Sequence, residues 1–169
     1  MKKEAINIYL VDDDPTYANI LEHVLKQDSE NKINTKIFTS GEDCLKELKN
    51  SSPEIIILDY YLDRFSKNAA NGLKILQSIK AIDSSIEVVM LSNQEKLEIA
   101  VSSIKLGAYD YVTKNETAYI RLKYLIRKIV NTTNLKKEMN RYEIWNWIIA
   151  SICVLTILYF IYTHSTRHN

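Results

Sequence analysis

Ile55-Ile56-Ile57-Leu58-Asp59 is the stretch on which the reading of this chain turns. Four large apolar residues run directly into one carboxylate, and Ser52-Pro53 stands before them. A run this short and uniformly apolar predicts a strand buried on both faces, as in a parallel sheet. Parallel α/β sheets place their sites outside the carboxyl ends of the strands, so the strand would hold Asp59 at that edge. Taken alone, Asp59 also reads as a turn residue closing a strand.

Working upstream, Ile6 to Val11 is a second apolar run, and it ends in Asp12-Asp13-Asp14-Pro15-Thr16. Asp14 followed by Pro15 is a helix start, a capping carboxylate and then proline at the first helical position. Tyr17, Ile20, Leu21, Val24 and Leu25 recur at helical spacing and are expected inward. A strand follows around Thr35 to Phe38. Ser40 and Asp43 resemble a capping box opening a helix with Cys44, Leu45 and Leu48 as its buried stripe.

Downstream of Asp59, residues 60–71 form a long polar loop with Asp63, Arg64, Lys67 and Asn68. Gly72 precedes a helix with Leu73, Ile75, Leu76 and Ile79 inward. A strand from Glu87 to Leu91 ends at Ser92-Asn93. Glu95 to Leu106 is expected as a helix with Ile99, Ala100 and Ile104 as its stripe, closed by a left-handed Gly107. Tyr109 to Thr113 gives a fifth strand ending at Lys114. A fifth helix spans roughly Glu116 to Val130, with Ile120, Tyr124, Leu125 and Ile129 apolar. Strands and helices alternate throughout. The fold class is therefore α/β, a doubly wound five-stranded parallel sheet with helices on both faces.

Composition narrows the function. Among 169 residues, 22 are basic and 21 acidic, so nothing points to nucleic acid. Cys44 and Cys153 lie far apart, with no Cys/His ligand spacing for zinc and no disulfide framework. Of His23, His164 and His168, two are in the tail. The N-terminus leads into the first strand too quickly for a signal peptide, so none is expected.

Four strand ends carry polar residues: Asp12 and Asp13, Asp59, Ser92 and Lys114. In a parallel sheet these ends share one edge. Three carboxylates together are costly unless a cation neutralises them. An all-oxygen donor set suits Mg²⁺, which binds through one or two carboxylates plus phosphate oxygens. A lysine and a hydroxyl nearby complete an arrangement in which one carboxylate accepts a phosphoryl group. Each residue also has a plainer reading: helix capping for Asp12 to Asp14, a loop hydroxyl for Ser92, a solvated charge for Lys114, a strand aromatic for Tyr111.

VDDDP at 11–15, IIILD at 55–59, VVMLS at 88–92 and GAYDYVTK at 107–114 together resemble a response-regulator receiver domain, over roughly residues 4 to 130. The resemblance implies a flavodoxin-like receiver fold and a signalling phosphoacceptor that is not an enzyme in its own right. It implies that Asp59 is the phosphoacceptor, served by a sensor histidine kinase or phosphotransfer protein. Asp12, Asp13 and Asp59 match the Mg²⁺ ligands, and the backbone carbonyl of Tyr61 matches the remaining protein ligand. Ser92 and Lys114 match the hydroxyl and lysine that bind the phosphoryl group, and Tyr111 matches the aromatic switch. The sequence departs from the family at Asn115, where proline usually follows the lysine, at Asn93, and in the longer loop after Asp59. A trans bond is expected before Asn115. Two rival readings stand beside this one. Asp12-x-Asp14-x-Thr16 also resembles the first motif of haloacid-dehalogenase-type phosphatases, with Asp12 and Asp14 as the working pair. Alternatively the chain is a receiver that takes no phosphate and serves as an adaptor.

The tail changes character. Ile144 to Tyr162 contains no charged residue, and nineteen residues make about 28 Å of helix, which matches a hydrocarbon core of ~30 Å. Trp145 and Trp147 stand near one end, Tyr159 and Tyr162 near the other, as interfacial aromatics do. Arg127, Lys128, Lys136, Lys137 and Arg141 precede the run and Arg167 follows it, which puts the receiver in the cytoplasm. The expected organisation is a receiver over 1–130, a linker or juxtamembrane segment over 131–143, a transmembrane helix over 144–162 and a short tail over 163–169. A single-pass protein of the inner (cytoplasmic) membrane is expected, with the lipid bilayer, an unidentified downstream protein and a second copy of itself as partners, and no output domain in what remains.

Overall fold

The computed structural model describes residues 5–27, 32–62 and 71–167, with the side chains of 134, 136–138, 140, 141, 143 and 157–167 left out of the description. In chain order the elements are β1 (Ile6–Val11), α1 (Pro15–Gln27), β2 (Ile33–Phe38), α2 (Gly41–Glu47) and β3 (Ile55–Asp59). They continue as α3 (Gly72–Ile82), β4 (Glu87–Ser92), α4 (Leu97–Lys105), β5 (Asp110–Thr113) and α5 (Ala118–Arg167). The five strands are parallel in the order β2-β1-β3-β4-β5, so β3 is central and the order reverses at β1. This is the doubly wound sheet that the alternating pattern predicts.

All five residues of β3 are buried, the carboxylate included. Burying each of its apolar side chains is worth about 1.5–3 kcal/mol relative to exposure, which fixes β3 as the spine of the sheet. One face buries Tyr9, Val11, Ile56, Leu58, Val88 and Met90 against Cys44, Leu48, Ile75, Leu76 and Ile79. The alternate residues of the same strands, Ile8, Leu10, Ile55, Ile57, Val89 and Leu91, are also buried, as are Leu21 and Leu25 of α1 and Leu122 and Leu125 of α5. Register then sets the site: Val11 pairs with Leu58, Leu58 with Met90 and Met90 with Tyr111. The residues just beyond this row reach the carboxyl edge at one level.

Local signals explain most element starts. Asp14 Oδ1 accepts the amides of Thr16 at 3.0 Å and Tyr17 at 3.3 Å, capping α1. Ser40 Oγ accepts the Asp43 amide at 3.2 Å and caps α2. Gly107 has φ +93°, the left-handed turn expected after α4. No cis peptide occurs among the described residues, and the bond before Asn115 is trans as expected.

Several expectations need correction. The inward face of α1 includes Ala18, whereas Ile20 is exposed. In α4 the buried pair is Ile99 and Ser103, and Ile104 is exposed. Ser103 fits because its hydroxyl donates to the Ile99 carbonyl at 2.8 Å, so burial leaves it satisfied. Ile120 and Tyr124 of α5 are exposed, whereas Leu122, Leu125 and Ile126 are buried. Apolarity alone did not fix the phase of these helices. Asp63, Arg64, Lys67 and Asn68 lie outside the described residues.

The chain divides into two compact units, Met1–Arg127 and Lys128–Asn169. The second is helical from Lys128 to Arg167, and Asn131 to Asn134, read as a linker, are helical too. Ile144, Trp145, Trp147, Ile148, Ile149, Ile152, Val154 and Leu155 are exposed. Among the described residues, no helix is long and apolar enough to cross a membrane. The described side chains of the expected span run from Ile144 to Thr156. Tyr159 and Tyr162 lie outside them.

Candidate functional site

Asp12 and Asp13 follow β1, Asp59 closes β3, Ser92 closes β4 and Lys114 follows β5. The sheet brings all five to one edge. Asp12, Asp13 and Asp59 are 3%, 2% and 1% exposed, and each offers a carboxylate oxygen within 4.8 Å of the others. Lys114 Nζ bridges two of them, donating to Asp12 Oδ2 at 2.6 Å and Asp59 Oδ2 at 2.8 Å. These ion pairs join residues 102 and 55 positions apart. The Asp14 amide donates to Asp12 Oδ1 at 2.9 Å and the Tyr61 amide to Asp59 Oδ1 at 3.3 Å, so the backbone of Tyr61 also lies beside the cluster.

Burial dominates the electrostatics. It pushes the Asp59 carboxyl up to about 6, opposed by Lys114 and reinforced by Asp12. It also raises Asp12, again against the pull of Lys114. Burial likewise raises the Tyr17 hydroxyl above its ordinary range, with Tyr119, Asp12 and Asp59 adding to the shift. Three carboxylates face one ammonium, so the ionised cluster carries an excess negative charge of the size a divalent cation cancels. An all-oxygen donor set with closely spaced oxygens fits a hard cation such as Mg²⁺. Asp12, Asp13 and Asp59 would hold it, and it would supply charge neutralisation for an incoming phosphoryl group.

Ser92 is fully buried, and its Oγ accepts the Gln94 amide at 3.2 Å. Tyr111 is half-buried, and its hydroxyl donates to the Gln94 carbonyl at 2.5 Å. The Tyr61 hydroxyl donates to Gln94 Oε1 at 3.1 Å. Gln94 thus ties together the segments carrying Ser92, Tyr111 and Tyr61. Sequence reading passed over it, because nothing local marks a polar loop residue as a hub. It also passed over Gly72. A Cβ there would stand 2.5 Å from the Asp59 carbonyl oxygen and 2.7 Å from Tyr60 Cα. The start of α3 therefore packs directly on the strand end that carries Asp59, and its amide donates to the Tyr60 carbonyl at 2.9 Å. Tyr17 was read only as one member of the helical pattern of α1; its ring lies over Lys114, with Nζ 4.5 Å from the ring centroid.

The phosphatase reading fares worse against this geometry. Asp14 caps α1 with the oxygen that accepts two amides, whereas Asp59, which that reading leaves idle, is held by Lys114 in the middle of the cluster.

Comparison with known proteins agrees. The response regulator receiver domain family matches residues 8–126, most of the chain. The chain belongs to the response regulator receiver family. Among curated proteins, this receiver is 32% identical over 136 residues to an NtrX-like response regulator of Rickettsia bellii, covering 79% of the chain and 26% of that protein. It is 29% identical over 135 residues to the nitrogen assimilation regulatory protein NtrX of Azorhizobium caulinodans, covering 80% and 28%. The receiver therefore spans about a quarter of the length of these relatives. The crystal structure of the NtrX receiver domain from Brucella abortus superposes with a TM-score of 0.65 at 27% identity, covering 74% of this chain and 98% of that one. A longer NtrX structure from the same organism gives 0.69 at 28% identity, covering 81% and 30%. Membership implies a histidine kinase or phosphotransfer protein as partner.

Proposed function

We propose that this receiver accepts a phosphoryl group on Asp59 in a Mg²⁺-dependent reaction and signals by protein–protein contact. The observation that carries the reading is the buried cluster in which Lys114 bridges Asp12 and Asp59. A carboxylate oxygen of Asp59 forms a bond to phosphorus as the bond from phosphorus to the donor nitrogen breaks. The nitrogen leaves with the bonding pair and takes a proton. Asp12, Asp13, Asp59 and the carbonyl of Tyr61 would hold the cation, Lys114 would pair with the transferred group, and Ser92 would hydrogen-bond it.

Ser92 and Tyr111 already share Gln94, so movement of Ser92 toward a phosphoryl oxygen tugs the loop that Tyr111 holds. The face affected includes exposed Leu97, Val101 and Ile104 of α4 and Ile120 and Tyr124 of α5. An exposed apolar surface beside a switch residue suits a protein partner or a second copy.

We further propose that α5 anchors the receiver to the cytoplasmic face of the inner membrane through residues 144–162. The charge-free run, its flanking aromatics and the basic residues before it support this reading. A downstream protein at the membrane would then be reached by search in a thin layer.

Incubation with phosphoramidate and Mg²⁺ should add one phosphoryl mass to the wild type and none to Asp59→Asn or to wild type in EDTA. Unchanged labelling of Asp59→Asn, with loss in Asp14→Asn, would restore the phosphatase reading. No labelling of wild type by any donor would favour the adaptor.

A further inference from the structure

Phosphoryl transfer at Asp59 depends on a single ammonium, and that ammonium has a neighbour outside every motif. Two donors of Lys114 go to Asp12 and Asp59, and the ring of Tyr17 lies 4.5 Å from Nζ. The side chain of Lys114 is only 5% exposed, so its charge sits in a poorly solvated place where attraction to an aromatic face counts most. The Tyr17 ring is itself held. Its amide donates to the Asp14 cap at 3.3 Å, and the ring stacks on Tyr119 of α5 with centroids 5.8 Å apart and planes at 24°. The ring that faces the lysine is therefore itself backed by a second ring, from the first turn of α5.

The loop that follows Lys114 does not supply this constraint. Asn115 stands next, and its side chain turns forward to accept from the amide and hydroxyl of Thr117 at 3.0 and 2.9 Å. A lysine stem has several free torsions, so its head group needs a fixed counter-surface. Asp12 is a poor one, because as a cation ligand it would no longer be available to the lysine. Asp59 would become the bond-forming atom's carrier. Among the described contacts of the ammonium, the Tyr17 face alone takes part neither in cation binding nor in bond formation.

We infer that Tyr17 is a positioning residue for phosphoryl transfer, holding the Lys114 ammonium over the phosphoryl site by its aromatic face. The inference rests on the phosphoacceptor reading for its kinetic arm and on geometry alone for its structural arm. Tyr17→Phe keeps the ring and drops the hydroxyl. Tyr17→Leu keeps apolar bulk and drops the ring, and Tyr17→Met is a second ring-free variant should Leu fold poorly. With phosphoramidate and Mg²⁺, the labelling rate should fall about tenfold in the ring-free variants and change less than about twofold in Tyr17→Phe. Mg²⁺ affinity should be unchanged in all of them, which a general collapse of the site would not allow. In the metal-free protein, the ε-methylene resonances of Lys114 should be shifted upfield by the ring in wild type and Tyr17→Phe, and return to their ordinary position in Tyr17→Leu. Equal labelling rates in Leu and Phe variants, or an unshifted Lys114 ε-methylene in wild type, would overturn the inference. If wild type takes no phosphoryl group, the function reading fails while the resonance still decides the placement of the lysine.

Discussion

At the scale of single residues, Asp59 is held in a place that suits phosphoryl transfer and strains folding. Burial raises its carboxyl to about 6, against an ordinary 3.8. Between those two values the folded chain binds more protons than the unfolded chain, so this group's contribution to stability falls as pH rises through that window. In EDTA, Asp59→Asn should therefore raise Tm at pH 7 by about 3–6 °C, with the gain shrinking toward pH 4, where the native carboxyl is already protonated. Lys114 retains Asp12 in the variant, which keeps the comparison clean. Thermal melts at several pH values give the answer; a Tm that drops equally at pH 5 and 7 would mean that the lost ion pair outweighs the relieved burial. Asp59, Asp12, Asp13, Ser92 and Lys114 were all legible in the sequence because each sits at a strand end. Tyr17 and Gln94 were not, because their roles are contacts across long stretches of chain, with Lys114 and with Tyr61 and Tyr111, that no local pattern encodes.

At the scale of elements, the strands were the easiest part to read and the helix faces the hardest. β1 and β3 fall where their apolar runs predict, since a strand buried on both sides needs no phase. A helix exposes part of its surface whatever its composition, and in α4 the stripe settled on Ile99 and Ser103 instead of Ile104 because a serine can satisfy its own hydroxyl within the helix. The junction of β3 and α3 shows how tightly elements constrain the site. Gly72→Ala places a methyl group against the Asp59 carbonyl and Tyr60 Cα, which are backbone and cannot rotate aside. It should cost about 1–3 kcal/mol of stability by overpacking and lower the phosphorylation rate, as read by urea denaturation and by labelling with phosphoramidate. Wild-type stability in the variant would show that α3 can shift without disturbing β3.

At the scale of the whole molecule, the tail supplies its own reporter. Cys153 is the central residue of the run from Ile144 to Tyr162 and is exposed on the helix, whereas Cys44 is buried with its thiol pushed up to about 12. In membranes from expressing cells, a water-soluble maleimide should leave Cys153 unlabelled until detergent is added, and the protein should resist carbonate extraction. Prompt labelling of Cys153 in a fraction that stays in the supernatant would end the anchoring proposal. The helical state of Asn131 to Asn134 was not anticipated, because polar residues that favour turns also continue a helix already propagating within α5. One pairing has a consequence for synthesis. Asp12 emerges from the ribosome long before Lys114, its partner 102 residues later, and Lys114 follows β5, one of the two edge strands of the sheet. Until that edge docks, Asp12 and Asp59 are without the ammonium that bridges them in the folded chain. On the proposed reading, readiness to receive a signal would wait for β5 and Lys114, so a chain still short of them would stay silent.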